Sequence, residues 1–344
     1  MAPPSIRKTF TSLSAVVIST VFAEAQTSFT LAAGYVQVTV PGGTLGAISA
    51  TLQSKSDHTS NATVNNDWTP LDDKGTPSPL DDDPAQQTLT VTGAGWTAGQ
   101  WTTSGFLCYA ADSNDGEESF LILANTSDTI TIQADFDLLD GSRSIPTTST
   151  ISLRRAQTVG SLFGFGAGNT DFTSSDKVYL WNGNGWTTYF VNAAFQWAKS
   201  GSFFSANNDV IFPDEGLFIQ RNDPSDLTLT FFGDVPGKAQ VTTMPGPKLQ
   251  FVSTRYPVGT TIGGLGFHNL TNWQTGNSGD LVYVWNGTSW TTYFYKGGGN
   301  WGKAGSFFNH ENDAVLPDSA VFVSRKSSAT LAESPNTHAL PYTP

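Results

Sequence analysis

Two sets of residues in this sequence have types and spacings that could do chemistry. The first is aromatic: Tyr179, Trp181 and Trp186 in one stretch, and Tyr283, Trp285 and Trp290 in a near-copy of it further on. Rows of Tyr and Trp on a surface present flat apolar faces on which sugar rings or polymer chains stack, and Trp197 and Trp301 follow closely enough to extend them. Buried instead, the same rings are core or inter-unit packing. The second set is acidic, Asp112-Ser-Asn-Asp-Gly-Glu-Glu118. Its oxygen donors, Asp112, Asn114, Asp115 and Glu117, have the composition of a calcium site, but the loop is one residue short of the spacing that wraps an ion. The plain alternative is an acidic β-turn. The same loop holds the best candidates for the paired carboxylates of glycoside hydrolysis.

Other chemistries lack their motifs. There is no Gly-x-Ser-x-Gly elbow, no His-Glu-x-x-His, no phosphate-binding glycine loop and no Cys-x-x-Cys pair. His58, His268, His310 and His338 stand apart in polar surroundings, so a histidine-based catalytic site is not expected. Cys108, the single cysteine, lies between Leu107 and Tyr109 and reads as a small buried hydrophobe rather than a nucleophile. No catalytic residue is assigned, and no cofactor is expected apart from the calcium reading.

These residues are positioned by a duplication. The run from Asp176 to Arg221 recurs without a gap from Asp280 to Arg325, with about half the paired positions identical. Within each copy Asn182-Gly183, or Asn286-Gly287, marks a hairpin turn. Period-two alternation through both arms puts Tyr179, Trp181, Trp186, Thr188 and Phe190 on one face. Val178, Leu180, Thr187, Tyr189 and Val191 fall on the other. Both faces are apolar, so the hairpin is expected to be sandwiched, which favours packing over ligand platforms. Lys199 with Lys303, Asp209 with Asp313 and Arg221 with Arg325 are the polar residues kept in both copies, and read as salt bridges or turn contacts.

Around the duplication, β-branched and aromatic residues alternate between Gly, Pro and Asn-Gly turns, and no segment has an apolar helical period with caps. The expected fold is all-β, built of tandem β-sandwich-like or closed β-repeat units. Strands are read at 35–40, 48–52, 88–92, 106–110, 119–123 and 129–133. The polar stretch Ser54 to Gln87 reads as a long surface loop. Four segments result: a signal peptide over 1–25, a diverged N-terminal β unit over 26–150, and repeat units over 151–246 and 247–344. The last unit lacks a counterpart of Leu227-Thr-Leu-Thr-Phe231, and the N-terminal strand is expected to supply it.

Location and partners follow from charge and from the first residues. Arg7 and Lys8 precede an apolar stretch from Leu13 to Phe22 and then Ala23-Glu-Ala25, the pattern of a secretory leader. Export is therefore expected, to the periplasm, cell surface or extracellular space, and the lone cysteine inclines to a bacterial source. No segment approaches the roughly 20 apolar residues of a transmembrane helix. The net charge is −12, and the 17 Lys and Arg residues are scattered, which excludes phosphate-backbone binding and so nucleic acid as a partner. Polysaccharide or other envelope proteins are the partners that remain.

The pattern Asp-x-Val-Tyr-x-Trp, Trp-x-x-Tyr-Phe, a downstream Trp, an apolar-Pro turn and Phe-Val-x-Arg stands here as Asp280 to Trp285, Trp290 to Phe294, Trp301, Leu316-Pro317 and Phe322 to Arg325. In these residues the chain resembles a largely uncharacterised family of exported β-repeat proteins with many paralogues in Verrucomicrobia and related bacteria. The resemblance covers most of the chain after the leader and is strongest from Asp176 onward. It implies export and a β-rich fold, and it implies no catalytic residues. The expected function is a non-enzymatic structural or adhesive protein, with a carbohydrate-binding module or carbohydrate-active enzyme as the alternative.

Overall fold

The structure is a computed structural model that describes residues 33–72, 74, 83–102, 105–111, 116–140, 145–164, 172–316, 319–330 and 335–342. The leader over 1–25, Asp112, Asn114, Asp115 and Pro317 lie outside the described residues. As the alternation predicts, the fold is all-β: strands dominate, and the helical elements are the short turn Val159–Phe163 and the 3-10 turn Phe267–Asn269.

The N-terminal unit is a closed barrel of six strands. Around it the order is Gly116–Asn125, Phe106–Ala111, Thr148–Arg155, Ser56–Val64, Gln86–Thr90 and Thr129–Gln133, and the last pairs back to the first through Ile122↔Ile132. Alternate residues point inward, so Leu89, Cys108, Ile130, Ile132, Ile151 and Leu153 are fully buried in one cluster. Burial also pushes the Cys108 thiol pKa up, which leaves it an inert core residue. The strand Ser56–Val64 corrects the reading of Ser54 to Gln87 as loop. Its residues are Ser, Thr, His, Asn and Asp almost throughout, with only Ala62 and Val64 buried. Pairing on both sides, to Thr148–Arg155 and Gln86–Thr90, holds it in the barrel where its own composition gives little signal.

Each copy of the duplication is a five-stranded antiparallel sheet. In the second copy the order is Lys248–Ser253, Ala320–Arg325, Leu281–Trp285, Trp290–Gly297, Asn300–Lys303. The first copy has Leu45–Ser49, Gly216–Gln220, Lys177–Trp181, Trp186–Val191, Trp197–Lys199 in the same places. The register aligns Leu45 with Leu249 and Ala47 with Phe251, because Phe218 pairs Ala47 and Phe322 pairs Phe251. The N-terminal strands thus complete the first copy. Ala33–Val40 also goes there, pairing Leu227–Asp234 as a ribbon whose Val40, Leu227, Leu229 and Phe231 join the core of that copy.

That pairing overturns the expectation that the N-terminal strand serves the last unit. The final strand of the described chain, Pro335–His338, pairs instead with Ala239–Thr243, which runs parallel to Gly116–Asn125 on the barrel. Backbone groups left open by the duplication are therefore covered by segments distant in sequence, as edge protection requires.

Candidate functional site

The aromatic hairpins form as the spacing predicts. Trp181 pairs Trp186 and Tyr179 pairs Thr188, and Trp285 pairs Trp290 in the twin. Four residues close each turn. The Asn182 Oδ1 accepts from the N–H groups of Asn184 and Gly185 at 3.0 and 2.7 Å, and Gly183 takes φ +92°. The positive angle falls on the glycine, while the asparagine caps the turn with its side chain.

The two faces of the hairpin have separate destinations. Val178, Leu180 and Tyr189 enter the core of their own copy. Tyr179, Trp181, Tyr283 and Trp285 face the other copy, packed around Phe218, Phe251, Ala320 and Phe322. The contacts are reciprocal. Trp181 donates its indole N–H to the Leu249 carbonyl and Trp285 donates to the Leu45 carbonyl, both at 2.8 Å. Because Leu45 and Leu249 are equivalent, the two sheets meet about an approximate two-fold axis, as a homodimer interface does. Phe218 and Phe251 stack across it with centroids 4.7 Å apart and planes at 15°. Only small residues fit where the sheets come closest: a Cβ on Gly216 would stand 2.5 Å from that of Ala320, its own counterpart.

The two-fold relation is broken at one ring. Phe251 of the second copy has Ala47 as its equivalent, so one large side chain is missing from the contact. Along Gly43 to Leu45 a cleft of about 720 Å³ opens between the hairpins. Its walls are the four tryptophans Trp181, Trp186, Trp285 and Trp290 with Phe218 and Phe322. Trp186 and Trp290 stand at its rim, 38% and 37% exposed, while Trp181 and Trp285 are more enclosed. Polar groups are few and lie on the first-copy side. Gln220 Oε1 accepts from the Tyr179 hydroxyl, Gln220 Nε2 donates to Asn222 at 3.1 Å, and Thr44 is nearby. Tyr283 packs in the aromatic cluster behind the cleft rather than lining it. The six aromatics read from sequence are thus all brought together, partly as packing and partly as cleft wall.

The retained polar residues are structural. Lys199 Nζ lies 2.9 Å from Asp209 Oδ2, which also accepts from the Tyr189 hydroxyl at 3.0 Å. Lys303, Asp313 and Tyr293 repeat this at 3.2 and 3.0 Å. Arg221 pairs with Asp176 at 2.6 Å and Arg325 with Asp280 at 3.2 Å, with all four side chains buried. Burial pushes the Asp176 carboxyl up, but N–H donation from Thr173 and Asn222, the Thr173 hydroxyl and the Arg221 charge outweigh it and hold its pKa below the usual range. Of the calcium reading, only Glu117 is described. It lies in a barrel strand opposite Ala111, 4.0 Å from Lys238 Nζ. Among the described residues no three His, Cys, Asp or Glu side chains group as metal ligands.

Two features escaped the sequence reading. One is a polar hollow of about 280 Å³ where barrel and copies meet, lined by Glu118, Asp135, Asp214, Glu215 and Lys248 among others. Burial, opposed by the N–H of Phe212 and reinforced by Asp214, pushes the Glu215 carboxyl up to about 8. A carboxyl raised on folding favours the folded state fully below its unfolded pKa, and that advantage is lost as pH climbs through the folded value. Unfolding stability is therefore expected to fall between about pH 4.5 and pH 8, and Glu215→Gln to remove that slope in denaturant titrations across the range. Nothing at the sequence level marks Glu215, which meets Val252 of the other copy through a backbone bridge.

The other is an exposed Phe-Phe pair in each copy, Phe203-Phe204 and Phe307-Phe308, whose first rings are 104% and 99% exposed. The identical Gly-Ser-Phe-Phe in both copies is the signal that could have found it. No protein-family model, curated protein or solved structure matches the chain. The functional reading therefore rests on this geometry.

Proposed function

We propose that this is an exported, non-enzymatic adhesive protein of the cell envelope or extracellular space, which binds polysaccharide through the aromatic cleft between its two copies. The observation that carries the reading is the cleft itself. Its volume falls within the roughly 300–1,000 Å³ of ligand sites, its walls are mostly aromatic, and its few polar groups lie on the first-copy side. A sugar ring has matching chemistry: a C–H face for Trp186 or Trp290, and hydroxyls for Gln220 and Thr44. Export is supported by the leader pattern of residues 7–25.

A glycan array read with wild type, Trp186→Ala and Trp290→Ala tests this. Each rim substitution is expected to weaken binding about tenfold or more, with far-UV circular dichroism unchanged. Wild type that retains no glycan sinks the reading.

A second reading, a carbohydrate-active enzyme, is favoured by one observation. The polar hollow places Glu215, held protonated near neutral pH, among Asp214, Asp135 and Glu118. A neutral acid beside an ionised carboxylate is the pair glycoside hydrolysis uses. Polysaccharide turnover abolished by Glu215→Gln would support it, and turnover indifferent to that change would remove it.

A further inference from the structure

Asp313 carries one contact more than its twin in the first copy. Both carboxylates hold a lysine and a tyrosine, but Asp313 Oδ2 also lies 3.0 Å from His310 Nδ1. On the far side of that ring, His310 Nε2 is 2.7 Å from Ser306 Oγ. An ionised carboxylate only accepts, so in the neutral imidazole Nδ1 carries the proton and Nε2 is left to accept from the serine hydroxyl. Hydroxyl, base and orienting carboxylate in that order are the parts of an activated serine, and they are recognised by geometry rather than by place in the chain.

Local structure fixes each part. Gly305 takes φ +81° and the Ser306 N–H donates to the Lys303 carbonyl at 3.0 Å, while Ser306 Oγ accepts from the Phe308 N–H at 3.3 Å. The His310 N–H donates to the Trp301 carbonyl at 2.8 Å, and the Tyr293 ring stands against the imidazole with centroids 6.5 Å apart. Burial pushes the Asp313 carboxyl up, but hydrogen bonds from His310, Tyr293 and Lys303 outweigh it and hold its pKa below the usual range. The His310 side chain is 16% exposed and Ser306 is half-buried, so the pair is screened yet reachable.

The first copy is an internal control. It keeps the serine turn, with Ser202 bonded to Lys199 and Phe204 at 3.0 and 3.2 Å, and it keeps Asp209 with Lys199 and Tyr189. Ala206 stands where the second copy has His310. The turn and the carboxylate therefore form without an imidazole, and the ring adds chemistry rather than fold.

We infer that Ser306, His310 and Asp313 form an acyl-transfer centre that hydrolyses oxygen esters of apolar acyl groups. Ser306 Oγ attacks the ester carbonyl carbon as its proton passes to His310 Nε2; the bond to the alcohol oxygen breaks, and that oxygen leaves with the proton. Water then attacks the acyl-serine and gives a proton to His310, which returns it to the departing Ser306 Oγ as the carboxylic acid is released. Asp313 is a positioning residue that holds the ring. Among the described residues the Phe307 N–H has no hydrogen-bond partner, and it adjoins the nucleophile as a donor for the developing oxyanion. Phe307 and Phe308, 99% and 77% exposed, offer apolar surface to the acyl chain. The site is independent of the aromatic cleft: glycan contact there stands apart from it, and only the non-enzymatic part of the adhesive reading gives way.

The full chain treated with a fluorophosphonate probe, and assayed on p-nitrophenyl butyrate, tests this. Label is expected on Ser306, located by peptide mass, and none on Ser202. Turnover should fall about a hundredfold or more in Ser306→Ala and in His310→Ala, with part of the latter loss returned by added imidazole. Asp313→Asn should slow labelling by a similar factor and Asp313→Glu less. Asp209→Asn removes the matching ion pair from the first copy and should leave labelling unchanged, which separates orientation of the ring from loss of stability. The double variant F307S, F308S should raise KM for the butyryl ester about tenfold, and an unchanged KM removes the apolar acyl group from the proposal. Wild type that takes no label at Ser306, or turnover undiminished in His310→Ala, overturns the inference.

Discussion

Arg325→Met is expected to lower the unfolding free energy by about 3–5 kcal/mol, the cost of stranding a buried charge. The Arg325 guanidinium is fully enclosed and spends its donors on Asp280 at 3.2 Å, the Met244 carbonyl at 3.0 Å, the Thr271 carbonyl at 2.7 Å and the Ser327 hydroxyl at 2.8 Å. It therefore ties the strand Ala320–Arg325 to the linker before the second copy and to the loop ahead of the hairpin. Burial draws its pKa down, though the Asp280 charge opposes this, so the pair is held by geometry rather than by cheap solvation. Removing the arginine leaves Asp280 with the N–H donors of Gln274 and Lys326 and no counter-ion. The double variant R325M, D280L is expected to be more stable than R325M alone, because both charges leave together. Guanidinium titration of wild type and the two variants measures this. Equal loss in single and double variants would show that the two carbonyls, not the ion pair, set the cost.

Phe218→Ala is expected to cost a further class of energy, about 3–5 kcal/mol for emptying a packed aromatic site, and to remove the cleft with it. Phe218 is 4% exposed and stacks on Phe251 of the other copy. It also receives the edges of Trp186, Trp285 and Trp290 at 5.4, 5.9 and 5.7 Å. Losing that ring takes away the surface against which both hairpins are set, so the glycan binding proposed for the cleft should fall together with stability. Phe218→Leu keeps most of the volume and is expected to cost less than half as much. Thermal unfolding followed by tryptophan fluorescence reads both effects. A Phe218→Ala protein that unfolds like wild type would show that the copies do not depend on this contact.

Much of the hairpin was legible in the chain because it is encoded locally. Period two fixed which side chains share a face, and repetition in two copies fixed the unit. The sequence also marked Lys199, Asp209 and their twins as structural, and they pair as such. It did not show that Arg221 answers Asp176 or that Arg325 answers Asp280, although each pair brackets its copy, since salt-bridge partners are chosen in three dimensions. The strand Ser56–Val64 was missed because its hydrophobic signal is almost absent and its neighbours supply the pairing.

By itself, then, the sequence determined the all-β class, the duplication, which side chains of each hairpin share a face, and that both faces are apolar and call for partners on both sides. Those properties depend on neighbours in the chain. Tertiary structure alone decided that the second face meets its own copy about an approximate two-fold axis, and that N-terminal strands complete the first copy. It also decided that the tryptophans of both hairpins wall an aromatic cleft at the contact. Each of these sets residues against partners far along the chain, and alternation along a strand carries no information about which distant surface will lie opposite.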